Sequence, residues 1–383
     1  MKRVGIIGGG QLAWMMADAA RKLEVELVVQ TPSENDPAVS IAQEIVFAPV
    51  DDASATEILA KKCDVITFEN EFVNLNALSV LTEQGVCFRP RLKVLTPLLD
   101  KYHQRCYLSN LGLPVPQFFA LDEVENLKSK IEYLGFPVVL KSRRHGYDGQ
   151  GTFIIQDFTN LQEKLNCDLI KNSNKSLFLL EEFVPFEREL AVIATRSLEG
   201  EIVTYPVVET QQEQQVCRRV IAPAEITPNQ VAEIKAIAHT LLNNLQAVGI
   251  FGIELFLRAD GKVLVNEIAP RTHNSGHFSL DACETSQFEQ QLRAVCGLPL
   301  GNPDLQCAGA VMVNLLGYEN SDSDYRSQRQ QIIRIPQAHV HWYGKTQSRP
   351  GRKLGHVTVL LDNQNRQQAI AIAQTIESIW YPS

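Results

Sequence analysis

The chain has 383 residues, 45% of them apolar and 21% charged, as a soluble globular protein of two or three domains requires. Its formal net charge of -8 argues against nucleic acid or an anionic membrane as a partner. Any anionic ligand must therefore be met by local basic residues. The eight cysteines include no C-x-x-C pair, so they read as small hydrophobes in a reducing compartment. Met1 to Ile7 is too short for a secretory h-region and no stretch approaches a membrane span, so a cytoplasmic location is expected.

Arg3 to Gly10 reads as a strand running into a glycine loop, and Gln11 to Leu23 as a helix. Gly8, Gly10 and Ala13 fit the G-x-G-x-x-A pattern of dinucleotide sites. A nicotinamide site also needs an acid at the tip of the second strand. Here Val25 to Val29 leads into Gln30, Thr31 and Pro32, so an oxidoreductase is disfavoured. The loop still offers N–H groups to an anion. Further βα units follow, with a helix over Asp51 to Lys62 and a strand over Asp64 to Phe68. That strand ends in Glu69, Asn70 and Glu71, at the edge where α/β sheets bind ligands. The βα rhythm stops near Pro90, which sets a Rossmann-like first domain at residues 1–95.

Leu99 to Leu111 reads as a helix carrying Lys101, and Phe136 to Lys141 as a strand. The connector SRRHGYDGQG follows, then a strand over Thr152 to Gln156. Three glycines (146, 149 and 151) let its backbone cradle phosphates, and Lys141 stands beside it as a point charge. A Walker A motif is excluded, because no Gly-Lys-Ser/Thr opens a helix. An apolar strand, Leu177 to Leu180, leads into Glu181, Glu182, Phe183 and Val184, with Glu189 beyond; such a run suits an adenine edge and a ribose. Strands are expected over Leu190 to Arg196 and Glu201 to Val208, and Thr210 to Gln215 as a surface loop. Val231 to Leu245 and Ser286 to Val295 read as helices, closing a second domain at 96–297.

Between those helices lies IFGIELFLRADGKVLVNEIAPRTHNSGH. Asp260-Gly261 between apolar runs signals a two-residue hairpin turn. Ala259 then faces Lys262, and Glu254, five residues back, faces Glu267, five residues on. Opposed carboxylates repel unless a cation lies between them, and oxygen ligands suit Mg²⁺. A solvated hairpin face is the alternative. The dense polar run from Arg271 to Ser275 favours a site, since sites are built on loops at strand ends.

In the segment 298–383, strands are expected over Ala310 to Leu316, His339 to Tyr343 and His356 to Leu361, and a helix over Arg366 to Ile379. Lys345, Arg349, Arg352 and Lys353 crowd one loop of an acidic protein, which points to an anion clasp.

The glycine flap after a strand lysine, with the acidic hairpin, resembles the ATP-grasp superfamily. GGGQL, RRHGYDGQG, NEIAPRTHNSGH and HWYGK…RPGRKLGH together look like the N5-carboxyaminoimidazole ribonucleotide synthase family, over nearly the whole chain. The resemblance implies an α/β ATP-grasp fold with a pre-ATP-grasp domain and a small C-terminal α+β domain. It implies a homodimer, and an ATP- and Mg²⁺-dependent carboxylation of 5-aminoimidazole ribonucleotide by bicarbonate through carboxyphosphate. By motif, Lys101, Lys141 and the flap Gly146, Tyr147, Asp148, Gly149, Gln150, Gly151 and Thr152 meet the nucleotide, as does Asn266. Glu181 to Val184 form the adenine hinge, and Glu189 holds the ribose. Glu254 and Glu267 hold the metal. Arg271, His273, Asn274 and Ser275 hold bicarbonate and carboxyphosphate; Tyr147 and Asp148 approach the aminoimidazole; Asp148 and His273 both remain candidates for the amine proton. Lys345, Arg352 and Lys353 grip the ribonucleotide phosphate, and Gln11, Glu69 and Glu71 face that substrate.

Three positions depart from the family pattern: Lys101 replaces Arg, Gln212 stands where a nucleotide-side His is usual, and Ala13-Trp14 replaces Gly-Arg. The nearest rival, formate-dependent glycinamide ribonucleotide transformylase, usually reads His-Asp-Thr-Gly where this chain has His273-Asn274-Ser275-Gly276.

Overall fold

Among the described residues the apolar runs supply seventeen strands, which hydrogen-bond into three sheets. The computed structural model describes residues 1–121, 127–144, 146, 151–166 and 178–381. No helix among them is long and apolar enough to cross a membrane. None of the seven described cysteines is in a disulfide.

The first sheet is parallel, with β1 (Lys2–Ile7), β2 (Val25–Thr31), β3 (Glu44–Phe47) and β4 (Val65–Phe68) in the order β3-β2-β1-β4. The order reverses at β1, so a crevice opens above the ends of β1 and β4, where the glycine loop meets Glu69. The helix after that loop is broken into Gln11–Trp14 and Ala17–Lys22. Met16 N–H bonds the Ala13 carbonyl, three residues back, which tightens the turn and interrupts the expected single helix.

The second sheet is antiparallel: β5 (Phe118–Ala120), β6 (Val138–Ser142), β7 (Thr152–Ile155) and β8 (Phe178–Glu182), in the order β5-β8-β6-β7. Lys141 pairs with Thr152, and Ser142 N–H donates to the Gly151 carbonyl at 2.7 Å, so the glycine connector springs from the β6–β7 end.

The third sheet holds β9 (Phe186–Arg196), β10 (Ile202–Thr204), β11 (Val208–Glu213), β12 (Val216–Ala222), β13 (Gly249–Arg258), β14 (Val263–Ala269), β15 (Gly309–Leu316), β16 (Ala338–Trp342) and β17 (Lys353–Leu361). Its order is β14-β13-β9-β11-β12-β15-β17-β16, with β10 beside β9. The C-terminal segment therefore extends the same sheet, through the β12–β15 pairing. Thr210 to Gln215 is not a loop: β11 runs to Glu213, and Gln214 and Gln215 turn the chain with φ of 53° and 64°. Both values lie in the left-handed region of a type I′ turn, usually the work of Asn or Gly. Arg326–Ile332 is a helix that no expectation covered.

Helix Pro228–Leu245 shows why these elements form. Its buried residues, Ile234, Ile237, Ala238, Leu241, Leu242 and Leu245, follow helical spacing, and each large one contributes about 1.5–3 kcal/mol on burial. Thr227 and Gln230 close a capping box at its start. The helix packs on β9, β13 and β14, the strands that carry the acidic hairpin. Helix Gln287–Cys296 lies against the first domain through Phe288, Leu292 and Val295. Its Gln291 donates to Thr67 of β4 at 2.7 Å and accepts from Ile250 N–H of β13 at 2.7 Å, fixing the crevice relative to the hairpin.

Candidate active site

Glu254 and Glu267 do face each other, by a different route from the one expected. The turn has three residues, because Arg258 N–H bonds the Lys262 carbonyl and Gly261 sits at φ 82°. That slips the register by one, and Leu255 pairs with Val265. A β-bulge at Asn266 restores it, so Glu254 has both Asn266 and Glu267 across from it. Asn266 Nδ2 lies 3.5 Å from Glu254, and its Oδ1 accepts from Lys141 at 3.0 Å. Glu267 accepts from Lys101 at 2.5 Å. Burial and the facing Glu267 push Glu254 up to about 7. Burial acts the same way on Glu267, but the Lys101 ammonium overrides it and holds Glu267 below its ordinary value. Lys101 thus outweighs burial at one acid of the pair and not at the other.

Lys141 ends β6 between Asn266 and Glu181, 2.7 Å from the latter. Burial, with Arg105 and Lys101 nearby, pulls its ammonium below the ordinary value, and Glu181 works against them. Glu181 is buried in β8 and also bonds Arg105. Burial would raise it, yet the two cations hold it at about 2. Its carboxylate is thereby committed to the core, and only its backbone is left to a nucleotide. Glu182, Phe183 and Val184 run on along the same edge, with Phe183 partly exposed. Glu189 lies within β9 opposite Phe256; burial lifts it to about 7, and Lys141 and its hydrogen bond with Gln212 pull the other way. Asp100 caps the helix Lys101–Asn110 and takes both 3.0 Å bonds from Arg143 Nε, which anchors Lys101 beside the flap's base. Gly146 lines a narrow gap with Lys101 and Glu267. Tyr147, Asp148, Gly149 and Gln150 lie outside the described residues.

Arg271 reaches into the first domain and bonds Glu71 at 2.6 Å. Burial works against its charge, but Glu71 and Glu69 keep it firmly protonated. His273 has Ser275 Oγ 2.9 Å from Nδ1 and Glu254 3.5 Å from Nε2. Asn274 and Asn314 of β15 exchange two amide bonds, at 2.9 and 2.7 Å. The loop thus presents His273 towards the carboxylate pair and fixes Asn274 from behind.

The glycine loop has an occupant of its own. Glu69 accepts from the N–H groups of Gly10 and Leu12, so the protein supplies the anion. A Cβ on Gly10 would lie 2.3 Å from that carboxylate, which only glycine avoids. Burial still raises Glu69, opposed by Arg271 and reinforced by Glu71. A cavity of about 320 Å³ opens here, lined by Gly8, Gly9, Gly10, Asp36, Glu69 and Asn70. Lys345 crosses to this domain and donates to Gln11 Oε1 at 2.5 Å and to the Lys353 carbonyl at 2.7 Å. Burial and neighbouring Arg349 lower Arg352, with Asp36 of the cavity opposing them. Gln11, Glu69, Glu71, Arg271 and the basic loop therefore converge from three parts of the sequence.

Three family models tile the chain. They are the ribonucleotide synthetase preATP-grasp domain over residues 1–96, the ATP-grasp domain over 106–288 and the phosphoribosylaminoimidazole carboxylase C-terminal domain over 310–369. The chain is 54% identical to the N5-carboxyaminoimidazole ribonucleotide synthase of Synechococcus elongatus, covering 99% of this chain and 96% of the relative. The chain belongs to the N5-carboxyaminoimidazole ribonucleotide synthase family. The Synechocystis sp. member is 52% identical, covering 99% and 98% of the two chains. The structure of N5-carboxyaminoimidazole synthase from Aspergillus clavatus, in complex with ADP and 5-aminoimidazole ribonucleotide, matches with a TM-score of 0.89 at 30% identity, covering 99% and 98%. The ATP-grasp fold expected from the flap and hairpin is borne out.

Within this family frame, sequence reasoning missed four residues that hold the site. Arg105 neutralises Glu181; Gln287 accepts from His273 N–H at 2.9 Å and donates to its carbonyl at 2.8 Å; Asn314 locks Asn274. Gln104 clamps Ile268 through its N–H and its carbonyl, next to Glu267. Lys101, Gln104 and Arg105 share a helix face at i, i+3 and i+4, a signal that was present. Gln287 and Asn314 carry none, since their partners are distant in sequence.

Proposed function

We propose that this ATP-grasp ligase carboxylates the exocyclic amine of 5-aminoimidazole ribonucleotide with bicarbonate. ATP becomes ADP and phosphate, carboxyphosphate is the intermediate, and the product feeds purine synthesis. The supporting observation is the Arg271–Glu71 bond, which joins the acceptor loop at the acidic hairpin to the first-domain crevice. In this reading a phosphoryl donor at the hairpin and a ribonucleotide amine in the crevice meet where those two features join. The Aspergillus relative, similar over 99% of this chain, was solved with ADP and that ribonucleotide.

Glu254 and Glu267 would hold Mg²⁺, and the opposed carboxylates, one of them lifted to about 7 by burial and by the other, fit it. Bound there, Mg²⁺ supplies charge neutralisation to the phosphates. Lys141 and Lys101 add cationic charge from the chain itself, and a flap over 145–152 would protect from water an intermediate that hydrolyses easily. The backbone of Glu181 to Val184 takes the adenine edge, with Glu189 and Gln212 at the ribose. Arg271, His273, Asn274 and Ser275 orient bicarbonate. The amine proton has two acceptors in reach of this reading, Asp148 and His273; His273 already leans on Glu254. Lys345, Lys353 and Arg352 take the ribonucleotide phosphate, with Gln11, Glu69, Glu71 and Tyr147 about the rest of that substrate. Family resemblance supports domains at 1–95, 96–297 and 298–383, a homodimer and a cytoplasmic location.

A coupled ADP-release assay tests this with 5-aminoimidazole or glycinamide ribonucleotide, and with bicarbonate or formate. Turnover is expected only with the first of each pair. Turnover only with glycinamide ribonucleotide and formate would replace this reading with the transformylase.

A further inference from the structure

Four of the eight histidines, His277, His339, His341 and His356, gather at one place outside the residues assigned above. His339 and His341 alternate on β16 and so share a face. His356 on β17 pairs directly with His341. The short helix Ser279–Ala282 brings Asp281, whose carboxylate lies 2.9 Å from His341 Nε2 and 3.6 Å from His339 Nδ1. One ligand atom from each of Asp281, His341 and His356 lies within 4.8 Å of the others.

A second observation points to a ligand. His356 is fully buried, its Nδ1 is 2.8 Å from the Tyr343 hydroxyl, and its Nε2 has no partner. His277 repeats the pattern, with Nδ1 3.1 Å from Gln287 and Nε2 unpartnered. Buried polar atoms normally find partners, so two idle imidazole nitrogens in one cluster require an explanation. A partner on the second ring nitrogen also orients a metal-binding imidazole; here the Tyr343 hydroxyl stands where a carboxylate, carbonyl or water is usual.

We propose that Asp281, His341 and His356 hold one divalent transition-metal ion of the zinc class. Two imidazoles and a carboxylate suit such an ion; the all-oxygen hairpin suits Mg²⁺, so the two seats do not compete. The His341 and His356 rings stack at 4.6 Å with 16° between planes. Their lone pairs then lie in nearly parallel planes and cannot share an ion. Loading turns the His341 ring, whose side chain is 25% exposed, and that exposure is also the ion's way in. A bound ion would staple β16 and β17 to the helix that follows the acceptor loop.

The test starts from chelator-treated protein in saturating Mg²⁺, equilibrated with Zn²⁺ and dialysed, with metal read by elemental analysis. One equivalent of zinc per chain is expected, and Co²⁺ should give visible bands of a low-coordinate N/O site. Asp281→Asn and His341→Gln should each weaken Zn²⁺ binding by at least about 100-fold, beyond the roughly 10- to 100-fold cost of losing an outer-shell partner, while Glu267→Gln leaves it unchanged. No zinc retained by the wild type, retention by both variants equal to that of the wild type, or loss on blocking thiols alone would each overturn the site. Should either variant misfold, the wild-type protein decides: Zn²⁺ must slow acylation of His341 by diethylpyrocarbonate, and an unchanged rate rejects the proposal.

Discussion

Two carboxylate pairs flank the proposed reaction path, Glu254 with Glu267 on the hairpin and Glu69 with Glu71 at the first-domain strand tip. In each pair one acid is taken by a base, Glu267 by Lys101 and Glu71 by Arg271. In each, burial lifts the other acid above its ordinary value. What differs is the company of the lifted acid. Glu69 receives two backbone N–H groups from the glycine loop. Glu254 has contacts at 3.5 Å from Asn266 and from His273, and a second carboxylate opposite. An acid solvated by amides is complete, and it organises a loop. An acid facing its like with only long contacts is a seat for a cation. Identical residue types in similar pairs thus take different work from their backbone surroundings.

The sharpest way to break this distinction is Glu267→Gln. It should lower kcat by at least about 100-fold in the ADP-release assay and raise the Mg²⁺ requirement. Near-normal kcat would remove the metal from the hairpin. pH separates the pairs next. Glu254, lifted from 4.5 to about 7, binds a proton more tightly folded than unfolded, so its contribution to metal-free stability is present at low pH and lost as pH rises towards 7. Mg²⁺ needs the ionised form, whose fraction falls about tenfold from pH 8 to pH 6. The melting-temperature gain from MgADP should therefore be larger at pH 8. An equal gain at both values would show that Glu254 does not gate the metal. Glu69→Gln should act differently, raising KM for the ribonucleotide about fivefold through weakened amide bonds, with the Mg²⁺ requirement unchanged. A raised Mg²⁺ requirement in that variant would erase the contrast.

Much of this was legible in the sequence, although not always for the right reason. The opposition of Glu254 and Glu267 followed from a supposed two-residue turn. The real turn has three residues, and the Asn266 bulge cancels the slip. Asp-Gly fixes that a turn exists, not its length. The Gln214-Gln215 turn was invisible because neither residue advertises a positive φ. The glycine loop was readable as an anion site, but its anion, Glu69, comes from another strand. Continuity of β12 with β15 could not be read either, since strand pairing across distant sequence leaves no local pattern. Nor could the Arg105–Glu181–Lys141 chain, in which β6–β8 pairing joins Lys141 to Glu181 and the helix Lys101–Asn110 adds Arg105.

The bulge gives the mildest and most discriminating test. Asn266 is the extra residue, and its side chain links Lys141 to Glu254. Asn266→Ala keeps the backbone bulge, and with it the opposition of the two acids, while removing that link. Lys141 retains Glu181 at 2.7 Å, so its position should loosen rather than fail. KM for ATP should rise about threefold, the size of one modest hydrogen bond, with kcat nearly unchanged. A loss of kcat comparable to that of Glu267→Gln would mean that Asn266 is itself a metal ligand, and that the bulge exists to deliver three oxygens to the cation instead of two.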